Sequence, residues 1–253
     1  MSSVRASFAC AFWFSTFGSE SRIHSDIVVV CSGRNSVLRK SAGLTAEQFH
    51  VPADTLWLRF DFSDIPQALP RSVDVHMWGD GIVVVLFQTS RSRLQLAFSA
   101  PGDLGTLRKD LPALRARLLP LIPAALRPHL EAKLDAATES QMFKVAVDRL
   151  PTWHAPGILF IGDAAHTMTP YLGSGAAMSI EDGVVLAQEL AKDQSLLDAQ
   201  LNFMKRRLPR VRAVHERSIE SMLEEFDSVT EETYRARIEH LRHDEPIANE
   251  YAN

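Results

Sequence analysis

The sequence predicts a mixed α/β (α+β) fold, and three observations predict it. A fully apolar run, GILFI, ends in Gly162-Asp163 and is followed by a glycine-bearing loop and an amphipathic helical stretch, the order of an α/β unit. Residues 55–100 hold several short β-rich segments with a Gly79-Asp80-Gly81 turn, which reads as an antiparallel sheet of its own. Residues 103–137 carry leucines at helical spacing interrupted by Pro112, Pro120, Pro123 and Pro128, which predicts several short helices packed on that sheet.

Taken in order, the opening MSSVRASFACAFWFSTFGSE has one arginine and a short apolar run without a small-x-small cleavage site, so it reads as strand rather than as a secretory signal. The β-branched run Ile27 to Val30 predicts a buried strand, and CSGRNSVLRK after it predicts a loop and a basic helical stretch. WLRFDF, VDVHMW, GIVVVLFQT and RLQLAFSA supply the antiparallel strands. MFKVAVDRLPTW predicts one further strand, and GILFI a fully apolar one. Helices are expected over about residues 176–192 and 197–218, and the mixed-charge tail beyond Glu224 as a surface helix or frayed end. No internal repeat is present.

Composition narrows the function. At 46% hydrophobic and 23% charged, the 253 residues suit a globular chain with a sizeable core. A net charge of -4 with interspersed signs gives no footprint for nucleic acid or an anionic membrane, and no run reaches the ~18 apolar residues of a spanning helix. Cys10 and Cys31 are the only cysteines, which excludes a disulfide framework or cysteine-zinc site and fits a reducing, cytoplasmic compartment.

The chemistry concentrates in IGDAAHTMTPYLGSGAAM, residues 161–178. A strand ending at Ile161 delivers Gly162 and Asp163 to the carboxyl edge of a sheet, where open α/β folds bind ligands, and a lone carboxylate there suits sugar hydroxyls. Pro170, Gly173 and Gly175 shape a loop that lets backbone approach a flat ligand. The helix starting near Gly175 aims free N–H groups and a positive dipole end at it.

Gly162-Asp163-Ala164-Ala165-His166, then Pro170, Gly173-Ser174-Gly175-Ala176, Met178 and Glu181-Asp182-Gly183, resemble the second flavin motif of FAD-dependent aromatic hydroxylases, the salicylate-hydroxylase-like and p-hydroxybenzoate-hydroxylase-like monooxygenases. With RLPTWHAPGILFIGDAAH before it and LNFMKRRLPRVRAVHERS after it, the resemblance covers roughly residues 21–218. It implies that Asp163 binds the ribityl chain of FAD. It also implies that Gly162, Pro170, Gly173, Gly175, Ala176 and Ala177 line the flavin, with N–H groups on the N1/O2 side where negative charge appears on reduction. NAD(P)H is then the electron donor, O2 the co-substrate, a hydroperoxyflavin the oxygen carrier and an aromatic small molecule the acceptor. His166 reads as a hydrogen-bonding structural residue, and neither it nor Tyr171 is assigned to catalysis.

The resemblance also implies domain boundaries: a partial FAD-binding segment over residues 1–50, an inserted antiparallel-sheet substrate domain over 51–145, a second FAD-binding segment with helices over 146–218, and a tail over 219–253. Trp57, Phe60, Trp78 and Phe87 are the candidate wall of the substrate cavity. Two departures stand out. None of the twelve glycines forms the G-x-G-x-x-G loop that holds the ADP half of FAD, so the FAD-binding Rossmann-like domain is expected to be incomplete, lacking its first βαβ unit. Where the middle motif expects Asp-Gly, the chain has Ser32-Gly33, although Gly33, Ser36 and Arg39 fit, which removes a charge from the pyrophosphate and nicotinamide region.

Two functions remain: a flavin monooxygenase acting on a phenolic or polycyclic substrate, and a non-catalytic chain of the same fold that binds a small molecule or a partner. A hydrolase or metalloenzyme is disfavoured. No G-x-S-x-G elbow exists, His215-Glu216 lacks the second histidine of H-E-x-x-H, and His240, His243 and Asp244 read as a solvated helix end.

Overall fold

The computed structural model describes residues 4–7, 11–16, 19–50, 54–63, 73–78, 81–135 and 141–226. Three strands come first, β1 (Val4–Ser7), β2 (Ala11–Thr16) and β3 (Ser19–His24), followed by β4 (Val28–Val30), the short helix α1 (Val37–Ser41) and β5 (Glu47–Phe49). Then come β6 (Asp54–Asp61), β7 (Asp74–Met77), β8 (Val83–Ser90) and β9 (Arg93–Ala100), and helices α2 (Leu104–Leu107), α3 (Leu111–Leu118) and α4 (Arg127–Leu134). Strands β10 (Gln141–Lys144), β11 (Val147–Arg149), β12 (His154–Ala155), β13 (Ile158–Phe160) and β14 (His166–Thr167) lead to the helices α5 (Gly175–Leu190) and α6 (Leu196–Phe226). The mixed helix-and-sheet class is as the sequence predicts.

The chain divides into two compact units. One takes residues 51–145 and 222–245 and contains the sheet β10-β6-β9-β8-β7, antiparallel throughout. Period-two alternation decides its faces. Leu56, Leu58 and Phe60 of β6, Val84 and Leu86 of β8, and Leu94, Leu96 and Phe98 of β9 point one way, into a core closed by Leu104, Leu114, Leu118, Ile122, Leu130 and Leu134. The prolines start helices as well as break them: Pro112 and Pro128 sit in the first turns of α3 and α4, where a missing N–H costs nothing. Asp103 and Asp110 cap α2 and α3 by accepting from the N–H of Thr106 and Ala113. Strands β7 and β8 pair as a hairpin in the register Met77↔Val83; Gly81 takes φ +71°, while Gly79 and Asp80 lie outside the described residues.

The other unit takes residues 1–50, 146–221 and 246–253. Its parallel pair, β13 beside β4 in the register Leu159↔Val29, is the part that the apolar runs IVVV and GILF predict, and it packs on Trp153, Val185, Leu186, Phe203, Val211 and Val214. A second small sheet, β14-β11-β5, is antiparallel. Two readings need correction. MFKVAVDRLPTW is two strands in two different sheets, because the chain leaves β10 before entering β11. Helix α6 runs past the expected end at residue 218 to Phe226, and Pro209 lies inside it. Cys10, the tail beyond residue 226, and with it His240, His243 and Asp244, lie outside the described residues. Among the described residues, no helix is long and apolar enough to cross a membrane.

Candidate functional site

All three residues of β13 are buried, and the N–H of Ile161 extends the pairing by donating to the carbonyl of Val30 at 3.1 Å. At the carboxyl end of this pair the chain makes a 3-10 turn, Gly162–Ala164. Gly162 sits at φ +57°, and a Cβ there would meet Ser179 Oγ at 2.8 Å and Ser179 Cβ at 3.1 Å. Only glycine lets the turn lie directly on α5. The Gly162 N–H donates to Asp182 Oδ2 at 2.8 Å. The next residue, Asp163, is exposed, and its carboxylate has no partner among the described residues.

Arg39 holds the turn from the other side. The residue is 7% exposed, and its guanidinium donates from Nε to the carbonyl of Ala164 at 2.8 Å and from Nη2 to that of Asp163 at 2.9 Å, and forms a two-pronged pair with Asp148 at 3.0 Å. A planar fork meets a carboxylate and two carbonyls at once, which a lysine ammonium cannot reproduce.

Beneath the turn lies a buried charge network. Asp182, fully buried, accepts from Gly162 N–H, from His166 Nε2 at 2.7 Å and from Arg207 Nε at 2.8 Å. Burial alone would raise its pKa, but the hydrogen bonds and charge of His166, Gly162 N–H and Arg207 outweigh it, and the carboxyl is held below its ordinary value. Arg207, also fully buried, donates to Glu181 at 2.6 Å and to the carbonyl of Met178 at 3.2 Å. Arg210 closes on the same Glu181 through two nitrogens, and its hydrogen bond is the main reason Glu181 titrates low. Each buried charge is therefore paired, the condition under which such groups are tolerated.

Beyond β14 the loop turns through Pro170–Leu172, with Pro170 exposed, into Gly173 at φ +61°. A Cβ at Gly173 or Gly175 would meet nothing within 4 Å. Helix α5 then starts without a side-chain cap, since Ser174 spends its hydroxyl on the carbonyl of Leu172. The first-turn N–H groups of Gly175, Ala176 and Ala177 have no helical partner, and both alanines are exposed. An exposed carboxylate at Asp163 and an uncapped positive helix end at Gly175 thus sit at the two ends of one loop. A polyhydroxy chain suits the first, and an atom gaining negative charge suits the second.

Of the residues singled out from sequence, Asp163, Pro170, Gly173, Ala176 and Ala177 are exposed, Gly175 is half-buried, and Gly162 is buried and shapes the turn rather than facing solvent. His166 is 1% exposed and engaged with Asp182, in keeping with a structural role. The candidate substrate wall splits: Trp57 and Phe87 meet edge to face at 5.3 Å on the sheet face away from the helices, Phe60 lies in the core on the opposite face, and Trp78 is half exposed. Phe60 is on the wrong face because it lies three positions, an odd offset, from Trp57 in a strand. Trp57 Nε1 donates to Gln95 Oε1, and Thr55 and Ser99 share a hydroxyl hydrogen bond of 2.7 Å on that same face.

Sequence reasoning missed the roles of Asp148, Asp182 and Arg207. The signal was present: Met178, Asp182, Val185 and Glu189 form the buried stripe of α5, and Phe203, Arg207, Val211 and Val214 that of α6. Acids on one apolar stripe and an arginine on another call for each other.

Comparison with known proteins places the chain in a family. A family model described as an FAD binding domain matches residues 4–218. Kynurenine 3-monooxygenase of Xanthomonas euvesicatoria pv. vesicatoria is 33% identical over 177 residues, 69% of this chain and 34% of its own length. The 3-amino-4-hydroxybenzoate 2-monooxygenase PtmB3 of Streptomyces platensis is 37% identical over 124 residues, 49% of this chain and 28% of its own length. The chain thus spans about a third or less of these curated relatives. In fold, the crystal structure of pqsL, a probable FAD-dependent monooxygenase from Pseudomonas aeruginosa, superposes with a TM-score of 0.74 at 18% identity, covering 91% of this chain and 63% of the other.

Proposed function

The chain belongs to this FAD-binding family, and on that premise we propose that it holds FAD along residues 162–177 and serves as an FAD-dependent monooxygenase that hydroxylates an aromatic or phenolic small molecule. The observation that carries the reading is the pairing of Asp163, exposed with a partnerless carboxylate, with the uncapped first turn of α5 across the Gly173–Gly175 cradle. Asp163 would accept hydrogen bonds from the ribityl hydroxyls. The N–H groups of Gly175, Ala176 and Ala177 would face the N1/O2 edge of the flavin, where a fixed positive dipole end stabilises the negative charge of the reduced ring. Pro170 and Gly173 set the loop's path, and Gly162, held by Asp182 and Ser179, sets the direction in which Asp163 leaves the sheet. When bound, FAD would take electrons from NAD(P)H and use O2 to oxidise the substrate; the protein's part is to position, dry and polarise.

In the other unit, the sheet face that carries Trp57, Phe87 and Gln95 offers flat apolar area with an amide and the Thr55 and Ser99 hydroxyls, a surface suited to a polar aromatic ring. The names of the two relatives, kynurenine and 3-amino-4-hydroxybenzoate monooxygenases, support this class of substrate.

One observation favours a second reading, a small-molecule or partner-binding module without turnover. Ser32, standing where a carboxylate is expected, donates to Ser36 Oγ at 2.8 Å, and Arg39 is committed to Asp148 and the 163–164 carbonyls. This stretch therefore presents no carboxylate for organising a nicotinamide. Titrating FAD into the purified chain while following flavin absorbance and fluorescence, then supplying NADH or NADPH with hydroxybenzoates, separates the readings. Bound flavin with substrate-stimulated NAD(P)H oxidation supports the monooxygenase, bound flavin without oxidation supports the second reading, and no saturable binding refutes the flavin site.

A further inference from the structure

The face of the β6-β9-β8-β7 sheet that points away from its helices is apolar at its middle and charged at one end. Thr55, Trp57, Arg59 and Asp61 of β6 lie on it, because they alternate with the core residues Leu56, Leu58 and Phe60. The register carries the pattern across the strands. Asp61 is opposite Arg93, Arg59 opposite Gln95 and Trp57 opposite Ala97, while Phe87 and Val85 of β8 are opposite Gln95 and Ala97. Arg59, Gln95 and Phe87 therefore form one row across three strands, and Trp57, Ala97 and Val85 form the next row, about 7 Å further along.

At the charged end, Asp61 answers two guanidiniums. Arg93 Nε donates to its Oδ1 at 2.9 Å, and Arg59 Nε lies 3.4 Å from its Oδ2. The Arg93 hydrogen bond is the main reason the Asp61 carboxyl is held below its ordinary value, and the Arg59 charge contributes less. One carboxylate between two arginines leaves this trio with a surplus positive charge. The Arg59 side chain is 27% exposed, so an anion meeting it is less screened than one in open water.

Gln95 is oriented by its neighbour. The Trp57 indole N–H can only donate, so it takes the Gln95 amide oxygen, and Nε2 becomes the donor end of that side chain. Trp57 and Phe87 meet at 5.3 Å with their planes 73° apart, an aromatic corner beside the small side chain of Ala97. A flat ring fits such a corner. Beside it stand two donor groups, one of them charged, and the ligand group that only accepts and carries the opposite charge is a carboxylate.

We propose that this face selects an aromatic acid, with the ring against Trp57 and Phe87 and the carboxylate held by the Arg59 guanidinium and the Gln95 Nε2. Arg59 and Gln95 are accordingly specificity-determining residues. The inference rests on the function proposed above, which puts the substrate on this face, and it narrows that substrate from aromatic or phenolic molecules in general to those carrying a carboxylate.

The test is calorimetric titration of the purified full chain, with and without saturating FAD, using 4-hydroxybenzoate and, separately, its methyl ester. Wild type should bind the acid at least about tenfold more tightly than the ester, and the advantage should shrink as salt is raised. Arg59→Gln should bind the acid about as weakly as the ester, while ester affinity stays at the wild-type value and so reports an intact face. Gln95→Glu, which sets a carboxylate in the same row, should reject the acid. Equal affinity for acid and ester in wild type, no binding of the acid, or an unchanged acid-to-ester ratio in Arg59→Gln overturns the proposal. The wild-type ratio and its salt dependence decide the outcome even if a variant fails to fold. A chain that binds no flavin but prefers the acid refutes the monooxygenase reading alone, and bound flavin without that preference refutes the selection of an acid alone.

Discussion

Gly162→Ala tests the architecture of the turn at a single atom. The added Cβ would sit 2.8 Å from Ser179 Oγ and 3.1 Å from Ser179 Cβ, on a residue held at φ +57°. The left-handed conformation alone costs an alanine about 1–2 kcal/mol. The hydroxyl can rotate away if it gives up its 3.0 Å hydrogen bond to the carbonyl of Gly175, but Ser179 Cβ moves only with the backbone of α5. Overpacking of this kind adds about 1–3 kcal/mol, so the total is about 2–5 kcal/mol. Urea unfolding should show that loss, and the double variant Gly162→Ala with Ser179→Gly should recover the packing part but not the conformational part. Because the displaced segment includes the first turn of α5 and the direction of Asp163, FAD binding should weaken as well. A Gly162→Ala protein within about 0.5 kcal/mol of wild type, the range of an indifferent surface change, would refute the close approach of turn and helix.

Other consequences follow from the buried charges. Asp182→Ala leaves Arg207 and His166 without their carboxylate and should destabilise by about 3–5 kcal/mol in chemical denaturation; Asp182→Asn, which keeps an acceptor, should lose less. Arg39→Lys cannot span Asp148 and the two carbonyls together, and should lower both thermal stability and FAD affinity even though charge is retained. His215 gives a signed pH effect. Its folded pKa lies below 6.5, so the unfolded chain takes the proton first and stability falls as pH drops from 6.5 toward the folded value, while His215→Phe flattens that limb of a stability-pH curve. Burial sets the effect first and the Arg149 charge second; the His166 charge adds to it, and the backbone of Thr167 and Asp148 works against it. Glu189 acts in a more acid window: against burial, Lys192, Arg206 and Gln194 hold it at about 2, so its contribution is present above about 4.5 and lost on acidification toward 2, and Glu189→Gln should remove it.

Much of this was legible in the sequence where one face or one period dominated. The alternation in β6, β8 and β9 fixes which residues meet the helices, and the IVVV and GILF runs mark two apolar strands, of which β13 is buried throughout and β4 at Val30. The strand-turn-loop-helix order of residues 158–190 could be read because glycine, proline and apolar run each carry a local conformational demand. Three things were not legible. The break between β10 and β11 falls in a run with no turn residue, and it is set by which sheet each half joins. The partnership of Arg39 with Asp148 and residues 163–164 spans more than 100 positions. That His166 and His215 line one small cavity comes from packing three elements together, which no spacing along the chain encodes.

The most direct measurement is the dissociation constant for FAD of wild type, Asp163→Asn and Asp163→Ala, read beside each protein's unfolding midpoint. Asp163 is exposed, and only its backbone carbonyl takes part in the turn. The midpoints should therefore stay unchanged, wild type should bind saturably, and Asp163→Ala should bind at least tenfold more weakly, the loss of about 1.4 kcal/mol or more from hydrogen bonds to a charged acceptor. Equal FAD affinity in all three proteins, or a wild-type chain that binds no flavin, would contradict it.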